Sequence, residues 1–240
     1  LQPKNKKTST RHILYLHGGA YVQGFNKFHW RFMAFLVKST GCTIIAPDYP
    51  LAPHHNYRDA FSMVTEVYRK MIAEVAPRNL ILMGDSSGGG FALALAQKLK
   101  EENLDQPGQI ILLSPWLDIE LINPDIKDLE PVDPFLDQAS LQQAGKLYAA
   151  GTSPGYYLLS PINGCLEELG NIAVFAGSKE ILVADARKLN GLAALKGVNL
   201  TYYEYEDMVH AWMFLKLPES KKARKQVVDH ITHSWAKESR

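Results

Sequence analysis

Cysteine is scarce: the chain of 240 residues has two, Cys42 and Cys165. Two scattered thiols in a chain of this size make no disulfide framework, and Cys42, inside an apolar run, is expected to be a buried thiol. Net charge is scarce as well, at +1, so composition gives no reason to expect nucleic acid or an anionic membrane as partner. The densest basic run, Lys221, Lys222, Arg224 and Lys225, reads as a solvated helix face. Long apolar runs are missing too. None approaches the ~20 residues that span a bilayer, so no stable membrane insertion is expected. No signal peptide is visible, although the sequence begins at Leu1 without a methionine, which is compatible with a trimmed leader. The expected location is the cytoplasm. No internal repeat or low-complexity tract is present.

What the chain does contain is ordinary for a folded protein, with 46% hydrophobic and 21% charged residues. The length suits one large α/β domain over residues 1–240. Six apolar runs predict strands: His12–Leu16, Cys42–Ala46, Leu80–Met83, Ile110–Leu113, Ile172–Phe175 and Leu200–Tyr205. Most are continuous rather than alternating, as when both faces of a parallel sheet are covered. Helical spacing lies between them. Phe28, Phe32, Phe35 and Leu36 form one stripe, Phe61, Val64, Val67, Tyr68, Met71 and Ile72 another, and Phe91, Leu93, Leu95 and Leu99 lie on a helix too apolar to be exposed. A last helix starts near Pro218, with Ala223, Val227, Ile231 and Trp235 spaced by four. Alternating strands and helices predict βαβ units and a mostly parallel sheet with helices on both faces. The stretch 115–160 breaks the rhythm. It is proline-rich, has no convincing strand, carries one helical piece around Leu136–Ala150, and reads as a cap or lid insertion.

Chemistry concentrates first at Gly84-Asp85-Ser86-Ser87-Gly88. The pattern G-x-S-x-G directly follows a predicted strand and precedes an apolar helix, which is the setting of a nucleophile elbow. The turn is sharp enough to need glycine two residues either side of the serine. It leaves the hydroxyl at the carboxyl end of the sheet, beside a helix N-terminus that favours developing negative charge. A glycine-rich turn without chemistry, or a phosphate loop, is the competing reading; the lysine of a phosphate loop is missing. The second concentration is His17-Gly18-Gly19-Ala20-Tyr21, just after the first strand. Glycines there let backbone N–H groups face a substrate, so Gly19 and Ala20, with Ser87 after the nucleophile, are the candidate oxyanion-hole donors and Gly18 permits the turn. His17 is expected to fix the loop.

On such a scaffold the triad runs in the order Ser, acid, His. His210, His230 and His233 follow the serine. The last two fall on the final amphipathic helix and read as surface groups, whereas His210 follows the last strand and is the candidate base. Glu180, on the loop after Ile172–Phe175, is the favoured acid; Asp185, about a turn further on, and Asp207, close to His210, are its rivals. Tyr21, Phe25, Trp116, Trp212 and Phe214 are candidate pocket walls through their proximity to the motifs.

Together these motifs resemble the hormone-sensitive-lipase-like branch of the α/β-hydrolases, a family of carboxylesterases. His17–Tyr21 is similar to its HGGG-type loop, Gly84–Gly89 to its GDSAGG-type elbow, and Pro47–Pro53 to its DYRLAPE segment. Glu180 and His210 fall where the family keeps its acid and base. Ala20 replaces the third glycine of the loop, glutamate stands where aspartate is usual, and Pro50 and His54 replace an arginine and a glutamate. Only Leu1–Arg11 precede the first strand, where the family has two further strands and a cap segment; that part is expected to be absent or trimmed. The resemblance implies an α/β-hydrolase fold, hydrolysis of short-chain acyl esters, a small acyl-ester substrate as the partner, no metal or organic cofactor, and, by analogy, a homodimer. An amidase, formamidase or peptidase on the same triad is the alternative within enzymes, and a membrane-active true lipase another, although no amphipathic lid helix stands out. A non-catalytic ligand-binding homologue is the alternative of another class; retention of Ser86, Glu180 and His210 argues against it.

Overall fold

The computed structural model describes residues 1–3 and 10–233, and the side chains as far as residue 232. In chain order the principal elements are β1 (His12–Leu16), α1 (Lys27–Thr40), β2 (Thr43–Ile45), α2 (Tyr57–Glu74), β3 (Leu80–Asp85), α3 (Ser87–Glu101), β4 (Gln109–Leu113), α4 (Ile126–Leu129), α5 (Gln138–Ala149), β5 (Asn171–Gly177), α6 (Val183–Leu195), β6 (Leu200–Tyr205) and α7 (Pro218–His233). The six strands pair in the order β2-β1-β3-β4-β5-β6, and every pairing is parallel. The sheet expected to be mostly parallel is thus wholly so among the described residues. The chain adopts the α/β-hydrolase arrangement expected of it.

The continuous apolar strands have the predicted cause. Along each strand alternate residues point to opposite faces. Leu14, Leu16, Leu80, Leu82, Ile110, Leu112, Ile172 and Val174 meet one buried cluster, built with α2, α3 and α6. Ile13, Tyr15, Ile81, Met83, Ile111, Leu113, Ala173 and Phe175 meet the other, built with α1 and α7. Over these residues both faces are dry, which is why the central strands read as continuous apolar runs; the edge strand β6 is only half-buried and carries Glu204. α3 is buried around nearly its whole girth from Ser87 to Gln97, which is why no polar face was visible in its sequence.

Local signals set the helix ends. The Asn26 side chain accepts from the N–H groups of Phe28 and His29, the His29 ring accepts the Asn26 N–H in return, and α1 stops at Gly41, which takes φ 71°. α5 starts at Asp137, which caps Ser140, close to the expected boundary. Ala223, Val227 and Ile231 of α7 are buried, whereas Trp235 lies outside the described residues. Two surface expectations are revised. His230 is half-buried and edges against the Tyr203 ring, because α7 packs along the sheet at that point; the side chain of His233 lies outside the described residues. Arg224 is not simply solvated, since it donates to the carbonyls of Met213 and Leu215. Cys42 is buried, and no disulfide forms among the described residues.

The strand order reverses direction between β1 and β3: β2 lies outside β1 on one side, and β4, β5 and β6 follow β3 on the other. In open α/β sheets the crevice at the carboxyl ends beside such a switch is where ligands bind. Register places Leu16 of β1 opposite Gly84 of β3, so the loops after both strands emerge side by side. The insertion between β4 and β5 folds over this end and is tied to the core, with Tyr148 of α5 stacked on Tyr21 at 3.7 Å between centroids.

Truncation should discriminate core from surface. Leu95→Ala, in the fully buried stretch of α3, should cost about 2–5 kcal/mol in a denaturant melt. Leu195→Ala, at a position 86% exposed, should stay within about 0.5 kcal/mol. Equal costs would mean that α3 is not the packed centre described.

Candidate active site

Ser86 ends the turn from β3 into α3 with φ 53° and ψ −125°, a strained geometry for a residue with a side chain. The turn closes because its flanks have no side chains. A Cβ on Gly84 would lie 2.1 Å from the Gly88 carbonyl oxygen, and one on Gly88 would lie 2.1 Å from that of Leu16. The Ser86 N–H is held by the Leu113 carbonyl at 2.9 Å.

Two other strand ends deliver the partners. Glu180, fully buried, follows β5; its Oε1 accepts the Gly177 N–H at 2.8 Å. His210 follows β6, on a loop held by Ala211 N–H to Ser114 Oγ at 3.1 Å and by Lys179 N–H to the Met208 carbonyl at 2.9 Å. The result is a linear chain. His210 Nδ1 lies 2.5 Å from Glu180 Oε2 and Nε2 lies 3.0 Å from Ser86 Oγ. A carboxylate only accepts, so Nδ1 carries the proton and Nε2 is left to accept from the serine hydroxyl. Such an arrangement can take a proton from an attacking hydroxyl and stabilise the imidazolium that results.

The rivals sit elsewhere. Asp185 accepts from Asn123 Nδ2 at 2.9 Å, and Asp207 pairs with Lys179 at the surface. Burial alone would lower the pKa of His210. The hydrogen bond and charge of Glu180, with the charges of Asp133 and Asp85 behind it, outweigh burial and raise it above the ordinary 6.5.

The loop after β1 wraps the serine. Gly19 takes φ 124° and Ala20 φ 52°, and the Gly19 carbonyl accepts from Val22 and Gln23. Among the described residues, no hydrogen bond uses the N–H groups of Gly19, Ala20 or Ser87; they are available to a ligand. The Gly18 N–H instead turns to the Asp85 carboxylate. His17 stacks on Tyr49, whose hydroxyl donates to the His17 carbonyl at 2.6 Å, and Ala52 N–H donates to the Tyr21 carbonyl. The segment Pro47–Pro53 is thus the buttress of this loop.

Sequence reasoning did not single out Asp85 and His29 behind the serine. Asp85 is buried, accepts from Tyr15 Oη at 2.6 Å and faces His29 Nε2 at 3.3 Å. Burial would raise its pKa, but the donors His29, Tyr15 and Gly18 hold it below the ordinary 3.8.

A cavity of about 490 Å3 opens onto Ser86 and His210, walled by Phe28, Phe135, Leu136, Leu141, Phe214 and Leu215 among others. Of the five aromatic residues proposed as walls from sequence, Phe214 lines it. Tyr21, Trp116 and Trp212 are buried in the core, and Phe25 packs on His17. Nearness to a motif fixes where a Cα lies, not where its side chain points. Among the described residues no cluster of three or more His, Cys, Asp or Glu is placed to hold a metal ion, and no helix is long and apolar enough to cross a membrane.

Comparison with known proteins agrees with the architecture. The model of a family described as alpha/beta hydrolase fold matches residues 13–214. An esterase of Acinetobacter venetianus is 32% identical, over 95% of this chain and 77% of its own length. An acetyl-hydrolase of Streptomyces hygroscopicus is 32% identical, over 89% of this chain and 72% of its own. Among solved structures, an esterase from the bacterial hormone-sensitive lipase family superposes with a TM-score of 0.89 at 30% identity, covering 92% of this chain and 76% of that one.

The histidine's environment is testable without any substrate. Followed by NMR, the His210 ring should titrate above 6.5, and in Glu180→Gln its midpoint should fall because burial is then less opposed. A raised folded-state pKa means that this group's stabilisation is complete below the unfolded value and is lost as pH rises through the folded one. A wild-type midpoint below 6.5 would contradict the pairing.

Proposed function

This chain belongs to the hormone-sensitive-lipase-like carboxylic ester hydrolases of the alpha/beta hydrolase fold, and from that premise we propose that it cleaves short-chain acyl esters, with Ser86 as nucleophile, His210 as general base and Glu180 as the acid that orients the histidine. The observation that carries this reading is the unbroken line Ser86 Oγ, His210, Glu180 at 3.0 and 2.5 Å.

Ser86 attacks the ester carbonyl while His210 Nε2 takes the hydroxyl proton. The oxyanion is stabilised by the N–H groups of Gly19, Ala20 and Ser87. The substitution of alanine for the third glycine leaves that backbone donor in place, and Ala20 already adopts the left-handed conformation the loop needs. The alcohol leaves with the proton from His210. Water, activated by the same histidine, then hydrolyses the acyl-enzyme. Beside Ser86 and His210 the cavity presents Phe135, Leu136, Leu141 and Phe214, an apolar wall for an acyl chain.

Turnover of p-nitrophenyl esters from acetate to laurate should be highest for the short members. Ser86→Ala should lose activity by about a millionfold in kcat, as removal of a triad nucleophile does in a comparable serine hydrolase. Residual activity near wild type in Ser86→Ala would displace the serine from its role. A maximum at laurate would overturn the chain-length assignment alone.

A further inference from the structure

A carboxylate of the insertion between β4 and β5, Asp133, hydrogen-bonds to the loop of Glu180. Asp133 Oδ1 accepts the N–H groups of Phe135 at 2.9 Å and Leu136 at 3.1 Å. Those two residues, with Leu141, form the insertion's apolar wall in the cavity. Asp133 Oδ2 accepts the N–H of Ile181 at 2.9 Å, across 48 residues of sequence, and Ile181 immediately follows Glu180. A local turn needs only the first of these oxygens. The second bond is a cross-link, and only a carboxylate offers an acceptor on both sides.

The same side chain contributes to the field at the imidazole. His210 faces Glu180 on Nδ1 and Ser86 on Nε2. Asp133 and Asp85 are the further charges acting on it, and both favour the cation. Asp85 is already engaged by His29, Tyr15 and the Gly18 N–H. Among the described residues, the donors to Asp133 are the backbone N–H groups named above, and no salt bridge pairs it with a cation.

We propose that Asp133 is a positioning residue that locks the pocket wall to the Glu180 loop and adds negative charge behind the His210 imidazolium. This rests on the assignment of Ser86, His210 and Glu180 made above. It follows that the cap and the triad are not independent modules: whatever seats Phe135 and Leu136 also seats the acid.

Asp133→Asn is the informative variant, because its remaining oxygen can keep the turn at Phe135 and Leu136 while the cross-link and the charge are lost. With p-nitrophenyl butyrate, its plateau kcat should fall roughly tenfold, with KM changed by less than about threefold. The midpoint of the acid limb of kcat/KM should move down by on the order of half a unit, since an imidazolium with one anion fewer gives up its proton more readily. General loosening of the fold would lower kcat without moving that midpoint down. An unmoved acid limb with kcat within about twofold of wild type overturns the proposal. If the asparagine variant does not fold, Asp133→Ser, whose hydroxyl can cap the same turn, is judged on the same two readouts. Ser86→Ala is measured alongside: if it retains turnover, the triad assignment itself falls, a result distinct from an unmoved limb.

Discussion

Everything at this site depends on one close backbone approach. Gly88, in the first turn of α3, sits so near β1 that any side chain on it would overlap the Leu16 carbonyl. That contact fixes the angle at which the chain leaves β3, and hence the left-handed conformation forced on Ser86. It also brings the loop after β1 beside the serine. There Gly18 repeats the device: a Cβ on it would lie 2.4 Å from an Asp85 carboxylate oxygen. Strain at the serine is over-determined by parallel strands on one side and a buried helix on the other, which is how a compact core sustains a conformation that a free chain would avoid.

The sheet then does the rest by register. β3, β4, β5 and β6 lie side by side, and the loops that leave β3, β5 and β6 carry Ser86, Glu180 and His210. β4, between serine and acid, contributes Ser114, whose hydroxyl holds the histidine loop through Ala211. A constellation from three distant parts of the chain thus rests on adjacent strand ends, and the rigidity of the sheet becomes the precision of the site.

The parts of this arrangement legible in sequence are those whose physics is local. The strands were readable because both sheet faces are dry, so runs such as Leu80–Met83 carry no polar alternation. The elbow was readable because its glycines are demanded within five residues. Glu180 could be ranked above Asp185 because a loop position and a position a helical turn later point differently. The cavity was not readable. Tyr21 and Trp116 are adjacent to motifs yet turn into the core, where Tyr21 stacks on Tyr148, a partner more than a hundred residues away. His29 carries no local signal in the sequence, because its ring caps α1 and faces Asp85, 56 residues away in the chain. Asp133 precedes a proline and makes two of its side-chain hydrogen bonds within a local turn; the bond to Ile181, 48 residues on, leaves no local trace.

The electrostatics of the proposed mechanism follow from how the carboxylates are occupied. A buried imidazole prefers to be neutral, which suits a base at rest but opposes the cation formed in the reaction. Glu180 touches the ring and counters that preference directly. Asp85 lies behind the serine and could in principle compete as a proton acceptor. Its donors, however, come from Tyr15, His29 and Gly18. The bond that His29 Nδ1 accepts from the Asn26 N–H leaves Nε2 as the donor toward Asp85. Asp85 is therefore held as an anion with its lone pairs engaged: it contributes charge to the site without offering His210 a second partner. The histidine is left with one carboxylate to orient it and one hydroxyl to deprotonate, so the proton has a single route between Ser86 and the imidazole.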